Sequence, residues 1–192
     1  TGCVMNSMLG SINHATVRLL NAAGYDVAVP PDQICCGALA NHAGLRETAK
    51  TMAATNLHAF DSGEVEAIII NAAGCGAMLK EYPLFTDGAE AFSRKVKDIS
   101  EFLVSTAIFE RLNVSQRVRV GYDDPCHLIH GQGVKSEPRR LLKAIPGIEF
   151  VEVEGADQCC GSAGIYNTTQ NALSMEILDR KMENIAKANI DI

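Results

Sequence analysis

One triplet occurs twice in this chain, as Cys35-Cys36-Gly37 and as Cys159-Cys160-Gly161. A single cysteine precedes each pair at almost the same distance, Cys3 before the first and Cys126 before the second. The two halves are offset by 123 to 124 residues. That is far longer than the roughly 20–50 residues of a solenoid repeat, so each half must be a small lobe with its own layer of packing. The count of seven cysteines is odd and two pairs are adjacent, which suits a disulfide framework poorly. Clustered thiols in a reducing compartment read first as metal or redox chemistry.

The hydrophobic pattern alternates helices with strands in both halves. Helices are predicted at 12–23 and 44–62, with strands at 26–29 and 65–71. The second half reads as strand 117–122, helix 137–144, strand 149–153 and helix 171–188. Between the halves, 88–112 reads as helical, with apolar positions at Phe92, Val96, Ile99, Phe102 and Leu103. The expected fold is therefore α/β: two tandem, pseudo-symmetric Rossmann-like lobes with small parallel sheets, each carrying a Cys-Cys-Gly metal site. The expected boundaries are 1–87 for the first lobe, 88–116 for a connecting helical segment and 117–192 for the second lobe. Matching the halves leaves no strand ahead of Cys3 to correspond to 117–122. The second half in turn stops at Ile190-Asp191-Ile192, where a strand equivalent to 65–71 should begin. The sequence thus reads as a piece of a longer chain whose second half has lost a fourth cysteine.

Composition narrows the function classes. Seventeen basic residues against 23 acidic give a net charge of −6, which disfavours nucleic acid as a partner. No apolar run approaches the ~20 residues of a membrane span, and no basic-then-apolar leader opens the chain. The expected location is the cytoplasm, with a peripheral place at the inner face of the membrane allowed.

Each cysteine is predicted on a loop at the carboxyl end of a strand or just before a helix, where open α/β sheets put their ligands. Helix N-termini favour thiolates, and the glycine after each pair permits a positive φ and close backbone approach. Four converging thiolates suit an iron–sulfur cluster or a tetrahedral zinc ion, and exclude magnesium and calcium. The candidate metal ligands are Cys3, Cys35, Cys36 and Cys75 at one site, and Cys126, Cys159 and Cys160 at the other.

With these residues on the page, the chain resembles the cysteine-rich CCG domain family. That domain occurs in the cysteine-rich subunits of heterodisulfide reductase and of anaerobic glycerol-3-phosphate dehydrogenase, in lactate utilisation protein A, and in the glycolate oxidase iron–sulfur subunit. Longer strings favour the last branch. They are Thr1-Gly2-Cys3-Val4-Met5, Cys35-Cys36-Gly37-Ala38-Leu39, Asn71-Ala72-Ala73-Gly74-Cys75-Gly76, Cys126-His127-Leu128-Ile129-His130-Gly131-Gln132-Gly133 and Cys159-Cys160-Gly161-Ser162-Ala163-Gly164-Ile165-Tyr166-Asn167. The resemblance implies an electron-transfer iron–sulfur subunit of a glycolate or 2-hydroxy-acid oxidase, carrying electrons from a flavin-containing subunit toward a membrane quinone. It also implies a ferredoxin-like module in the same parent chain, whose Cys-x-x-Cys runs do not occur here. The implied cofactor is a [4Fe–4S] cluster, with zinc an alternative at one site and an empty site a further one in a fragment. In heterodisulfide reductase the motif ends Cys-x-x-Cys and holds noncubane clusters; here it ends Cys75-Gly76-Ala77-Met78. That departure weakens a disulfide-reducing reading. A zinc-stapled subunit-docking module is the rival from another class.

Other residues carry less. His127 and His130 follow Cys126, and His130 is the preferred neighbour of a cluster because the His-Gly-Gln string resembles the family motif. His14, His42 and His58 read as surface or packing residues, Arg139 and Arg140 as a solvated helix start, and the six methionines as core filler. No Gly-x-Gly-x-x-Gly fingerprint follows a strand, so no nucleotide cofactor is expected, and no residue set is assigned a catalytic role.

Overall fold

The computed structural model describes residues 2–61 and 65–192, except for the side chain of Glu110. The chain divides into two compact units, one ending at Phe102 and the other running from Leu103 to Ile192. It is a mixed helix–strand protein with a small parallel sheet in each unit.

In the first unit the helices are α1 (Cys3–Met8), α2 (Gly10–Ala22), α3 (Ala38–His42), α4 (Arg46–Ala59), α5 (Ala73–Lys80), α6 (Glu90–Lys95) and α7 (Ile99–Leu103, crossing the boundary). Strand β1 (Ile68–Ile70) pairs in parallel with β2 (Val96–Asp98), Ile69 opposite Lys97. The core gathers where α4 and α5 meet this sheet. Ala49 and Ala53 are fully buried on α4, and Ile68, Met78, Leu79 and Val96 close around Tyr82. Tyr82 has no exposed surface, stacks on Phe92 at 5.6 Å, and Phe92 meets the ring of Phe60 edge-on at 5.7 Å. Small residues at Ala49 and Ala53 let α4 approach closely, one α-helical turn apart on one face.

Two expectations are corrected here. The stretch 26–29 is extended but joins no ladder among the described residues. A cavity of about 420 Å³, lined by Val27, Val29, Leu20, Ile68 and Ile70, separates it from β1. A strand forms only with a partner to take its backbone hydrogen bonds, and no described strand pairs with this stretch. The segment 88–112 is not one helical run, because β2 interrupts it. Val96 and Asp98 are buried while Lys97 is not, a period of two that three residues cannot announce against a helical background. The predicted helix 44–62 is observed as Arg46–Ala59, and residue 62 lies outside the described residues.

In the second unit, β3 (Val118–Gly121) pairs in parallel with β4 (Ile148–Val151), Val118 opposite Ile148. A π-type turn spans His127–Gly131, followed by α8 (Glu137–Ala144), α9 (Tyr166–Thr169) and the long α10 (Asn171–Lys187). The last residues lie along the other edge of β3: Asp191 N donates to Arg119 O at 2.8 Å and Gly121 N to Ile192 O at 2.9 Å. Arg119 holds the chain just past α10, donating to the carbonyls of Asn189 at 2.8 Å and Ala188 at 3.4 Å. The methionines divide: Met78 is buried, while Met8, Met175 and Met182 stand in solvent and are not core filler.

Candidate metal centre

The first Cys-Cys-Gly turn is shaped from beneath by α4. Gly37 has φ +86° and leads straight into α3, and a Cβ built on it would stand 3.4 Å from the Cα of Ala49. The Ala49 contact would be an ordinary one, so it is the positive φ that favours glycine here. Asn56, 2% exposed, holds the turn: its Nδ2 donates to Cys35 O at 3.1 Å and to Tyr82 Oη at 3.0 Å, and its Oδ1 accepts from Ile34 N at 2.9 Å. Tyr82 Oη donates in turn to Cys36 O at 3.0 Å. Burial pushes the Tyr82 phenol well above its ordinary range, so it stays a neutral donor.

The four thiols of the first unit come together on this floor. Cys3 opens α1, and its Sγ donates to Cys35 Sγ at 3.6 Å. Cys36 donates to Cys75, which lies in the first turn of α5. Gly2 lies against the same group, since a Cβ there would be 3.3 Å from Cys75 Sγ. The proton bookkeeping follows the bonds. The hydrogen bond to Cys75, then burial, raise the Cys36 thiol strongly. Accepting that bond lowers Cys75 despite its burial and the neighbouring Cys3 and Cys35. Burial, then the bond to Cys35, raise Cys3. The four soft sulfurs thus form one contiguous chain of contacts, Cys3 to Cys35, Cys35 to Cys36 and Cys36 to Cys75, of the ligand type that suits a thiophilic metal or cluster. Among the described residues, no group of three or more His, Cys, Asp or Glu side chains is placed so as to hold a metal ion as it stands.

In the second unit the turn glycine is also left-handed. Gly161 has φ +82°, and its carbonyl accepts from Ser174 Oγ at 2.8 Å. Gly161 N donates to Cys159 Sγ at 3.3 Å. Lys181, 5% exposed, reaches under the turn, donating to Ala156 O at 3.0 Å and Gln158 O at 2.5 Å and pairing with Asp123 at 2.6 Å. Cys126 immediately precedes the π-type turn, with its Sγ 3.6 Å from His127 Nδ1. Cys126, Cys159 and Cys160 share no sulfur–sulfur hydrogen bond among the described residues, in contrast to the first set. His127 is the ring beside Cys126; His130 is exposed on the same turn.

Three supporting residues carry no signal in the sequence. Asn56 and Lys181 lie inside polar helical stretches, and nothing local marks them as buried. Arg139 reads there as solvated, yet it forks onto Asp124, Nη1 to Oδ1 at 2.7 Å and Nη2 to Oδ2 at 2.6 Å, and Nε reaches Glu152 at 3.0 Å. Those bonds, Asp124 foremost, hold its charge more firmly still. Asp124 is 3% exposed and sits two residues before Cys126. The pair therefore anchors the backbone two residues ahead of that thiol.

Comparison with known proteins identifies the family. The cysteine-rich domain family matches residues 1–80 and 120–192, the two stretches that hold the thiols. A probable glycolate oxidase iron–sulfur subunit of Bacillus subtilis (strain 168) is 46% identical over 191 residues, covering 95% of this chain and 43% of that protein. One subunit of the fumarate reductase (CoM/CoB) of Methanothermobacter marburgensis is 38% identical over 192 residues, covering all of this chain and 38% of that protein. Lactate utilization protein A of Geobacillus kaustophilus is 31% identical over 196 residues, covering 98% of this chain and 81% of that protein. The chain spans about two-fifths of the length of the first two. By these matches the chain belongs to the cysteine-rich CCG domain family.

Proposed function

We propose that this chain is the cluster-bearing part of an iron–sulfur subunit that conducts electrons in a glycolate or related 2-hydroxy-acid oxidase. The observation that carries the reading is the hydrogen-bonded set of Cys3, Cys35, Cys36 and Cys75 above one buried floor. These four would hold the first group, and Cys126, Cys159 and Cys160 would supply three ligands to a second. The two Cys-Cys-Gly turns are read as equivalent halves of a duplicated lobe. When bound, a [4Fe–4S] cluster supplies one-electron chemistry at a potential set by its surroundings.

The residues of the chain then do the rest. Met78 and Tyr82 exclude water from below the first site, and exposed Cys3 marks its open side. Asn56 and Lys181 fix the backbone of the two turns. The partners are a flavin-containing oxidase subunit as donor, a ferredoxin-like module of the same parent chain, and a quinone-type acceptor reached indirectly. Among the described residues no helix is long and apolar enough to cross a membrane, which leaves a cytoplasmic, peripheral placement as the proposal. Met78 is buried and offers no thiolate, so disulfide reduction is not part of this reading.

The alternative reading, a zinc-stapled docking module, would use the same thiols. The discriminating experiment mixes the anaerobic, iron-loaded chain with the flavin subunit and glycolate or D-lactate. Bleaching of the visible absorption that is absent in Cys35→Ser supports electron transfer; a colourless, zinc-bearing chain supports docking.

A further inference from the structure

The sheet of the second unit has β3 at its centre. On one side lies β4. On the other, Gly121 N donates to Ile192 O at 2.9 Å and Ile192 N donates to Arg119 O at 3.2 Å, the slanted pattern of a parallel neighbour. The first unit repeats the two outer members of this set. Gly24, with φ +95°, turns the chain from α2 into 26–29, as Gly147, with φ +91°, turns it from α8 into β4. Strand β1 follows α4 as 190–192 follow α10. Between 26–29 and β1, where the second unit has β3, lies the cavity described above.

Both walls of that cavity offer backbone. Strand β1 uses one edge for β2 and turns the other to the cavity, which Ile68, Ile69 and Ile70 all line. The 26–29 stretch makes no backbone hydrogen bond to another segment among the described residues. Edges in this state take up an added strand. Gly2 lines the same cavity and leads directly into Cys3, as β3 leads on toward Cys126.

The walls also carry charge in the pattern of the second unit. There Glu149, two residues past Gly147, pairs with Arg117 and Arg119 of the central segment at 2.8 Å each. Asp191, on the other flank, accepts from Arg119 N at 2.8 Å. In the first unit Asp26 stands two residues past Gly24, and Glu66 stands on the opposite wall, two residues ahead of β1. Both are exposed, and neither is in an ion pair among the described residues.

We propose that this cavity is a strand-binding slot whose occupant is an extended segment of the same protein lying ahead of Thr1. It enters parallel to both walls, apolar at alternate positions, with a basic side chain between Asp26 and Glu66, and runs out through Gly2. The sheet order becomes 26–29, the added strand, β1, β2. Because it continues straight into Cys3, the added strand fixes the one exposed thiol of the first set. It does so whichever metal the thiols hold.

The test compares the 192-residue chain with the same protein extended upstream by the residues its gene encodes ahead of Thr1, about twelve being enough for a strand and its link. Amide hydrogen exchange is followed by mass spectrometry over 25–29 and 67–71, with α4 as the reference for a folded unit. In the extended protein, exchange should slow about tenfold or more at both edges, and the melting temperature should rise. Two prolines set into the added strand should return both edges to fast exchange. The double variant D26N/E66Q should lose part of the protection, and protection indifferent to it overturns the basic side chain. Unchanged exchange at either edge overturns the slot, as does an extended protein that melts lower than the 192-residue chain. Slow exchange at both edges of the 192-residue chain alone, lost on dilution, makes a second copy the occupant and overturns it too.

Discussion

The phenolic oxygen of Tyr82 donates to the carbonyl of Cys36 across 3.0 Å, tying the most buried aromatic ring of the first unit to the cysteine pair above it. The same oxygen accepts from Asn56 Nδ2, so core, clamp and turn form one hydrogen-bonded unit. Tyr82→Phe keeps the ring and its stacking on Phe92 but leaves the Cys36 carbonyl and one Asn56 proton without that partner. A loss of about 1–2 kcal/mol in urea unfolding is expected. Metal retention at the first site should fall with it. Unchanged stability would show that the hydroxyl is not a support of the turn.

The two turn glycines are predicted to differ. Gly37→Ala meets Ala49 at ordinary contact and costs mainly the positive φ, about 1–2 kcal/mol. Gly161→Ala adds a Cβ 2.5 Å from the carbonyl oxygen of Ser174, so α10 must shift. It should cost clearly more, about 3 kcal/mol or above. Thermal melts of the two variants give the order directly.

The buried ion pair beside Cys126 is a stronger constraint than a sequence reading of Arg139 implies. Arg139→Met strands Asp124 and is expected to cost about 3–5 kcal/mol. Arg139→Lys does not restore the two-pronged contact and should recover only part of that loss. Denaturant titration separates the two, and a Lys variant equal to the parent would contradict the fork geometry.

Stability of the first unit should fall in acid through Glu101. Burial opposes its charge, but hydrogen bonds from Lys80 at 2.8 Å and Lys97 at 2.7 Å outweigh it and hold the carboxyl below its ordinary range. A depressed folded value adds stability above the unfolded value near pH 4.3, and that stability disappears as the pH falls through the folded value. Asp98 works the other way: burial raises it, despite bonds from Ser100, so acid relieves its cost. Glu101→Gln should lower stability at pH 7 by about 1–2 kcal/mol. It should also flatten the decline below about pH 4.5. Parallel pH profiles for parent and variant would contradict the assignment.

Much of the fold is legible in the residues. The duplicated triplets locate both turns, and the glycines carry their positive φ because no other residue adopts it freely. Helix α8 falls at 137–144 as its pattern predicts, and α10 differs from its prediction by one residue. What stays hidden is long-range. Strand β2 is three residues long and owes its existence to β1. The stretch 26–29 has strand-like residues but no described strand to pair with. Asn56, Lys181 and Arg139 look like surface residues until the fold buries them, because a polar side chain carries no local mark of its distant partner.

The central claim is tested most directly by iron, zinc and acid-labile sulfide analysis of the anaerobically purified chain, beside its Cys35→Ser variant. The account predicts iron with matching sulfide, about four of each per filled site, and the loss of the first site's portion in the variant. Zinc without sulfide, in the parent and reduced in the variant, would contradict electron transfer and leave a docking module built on the same four thiols.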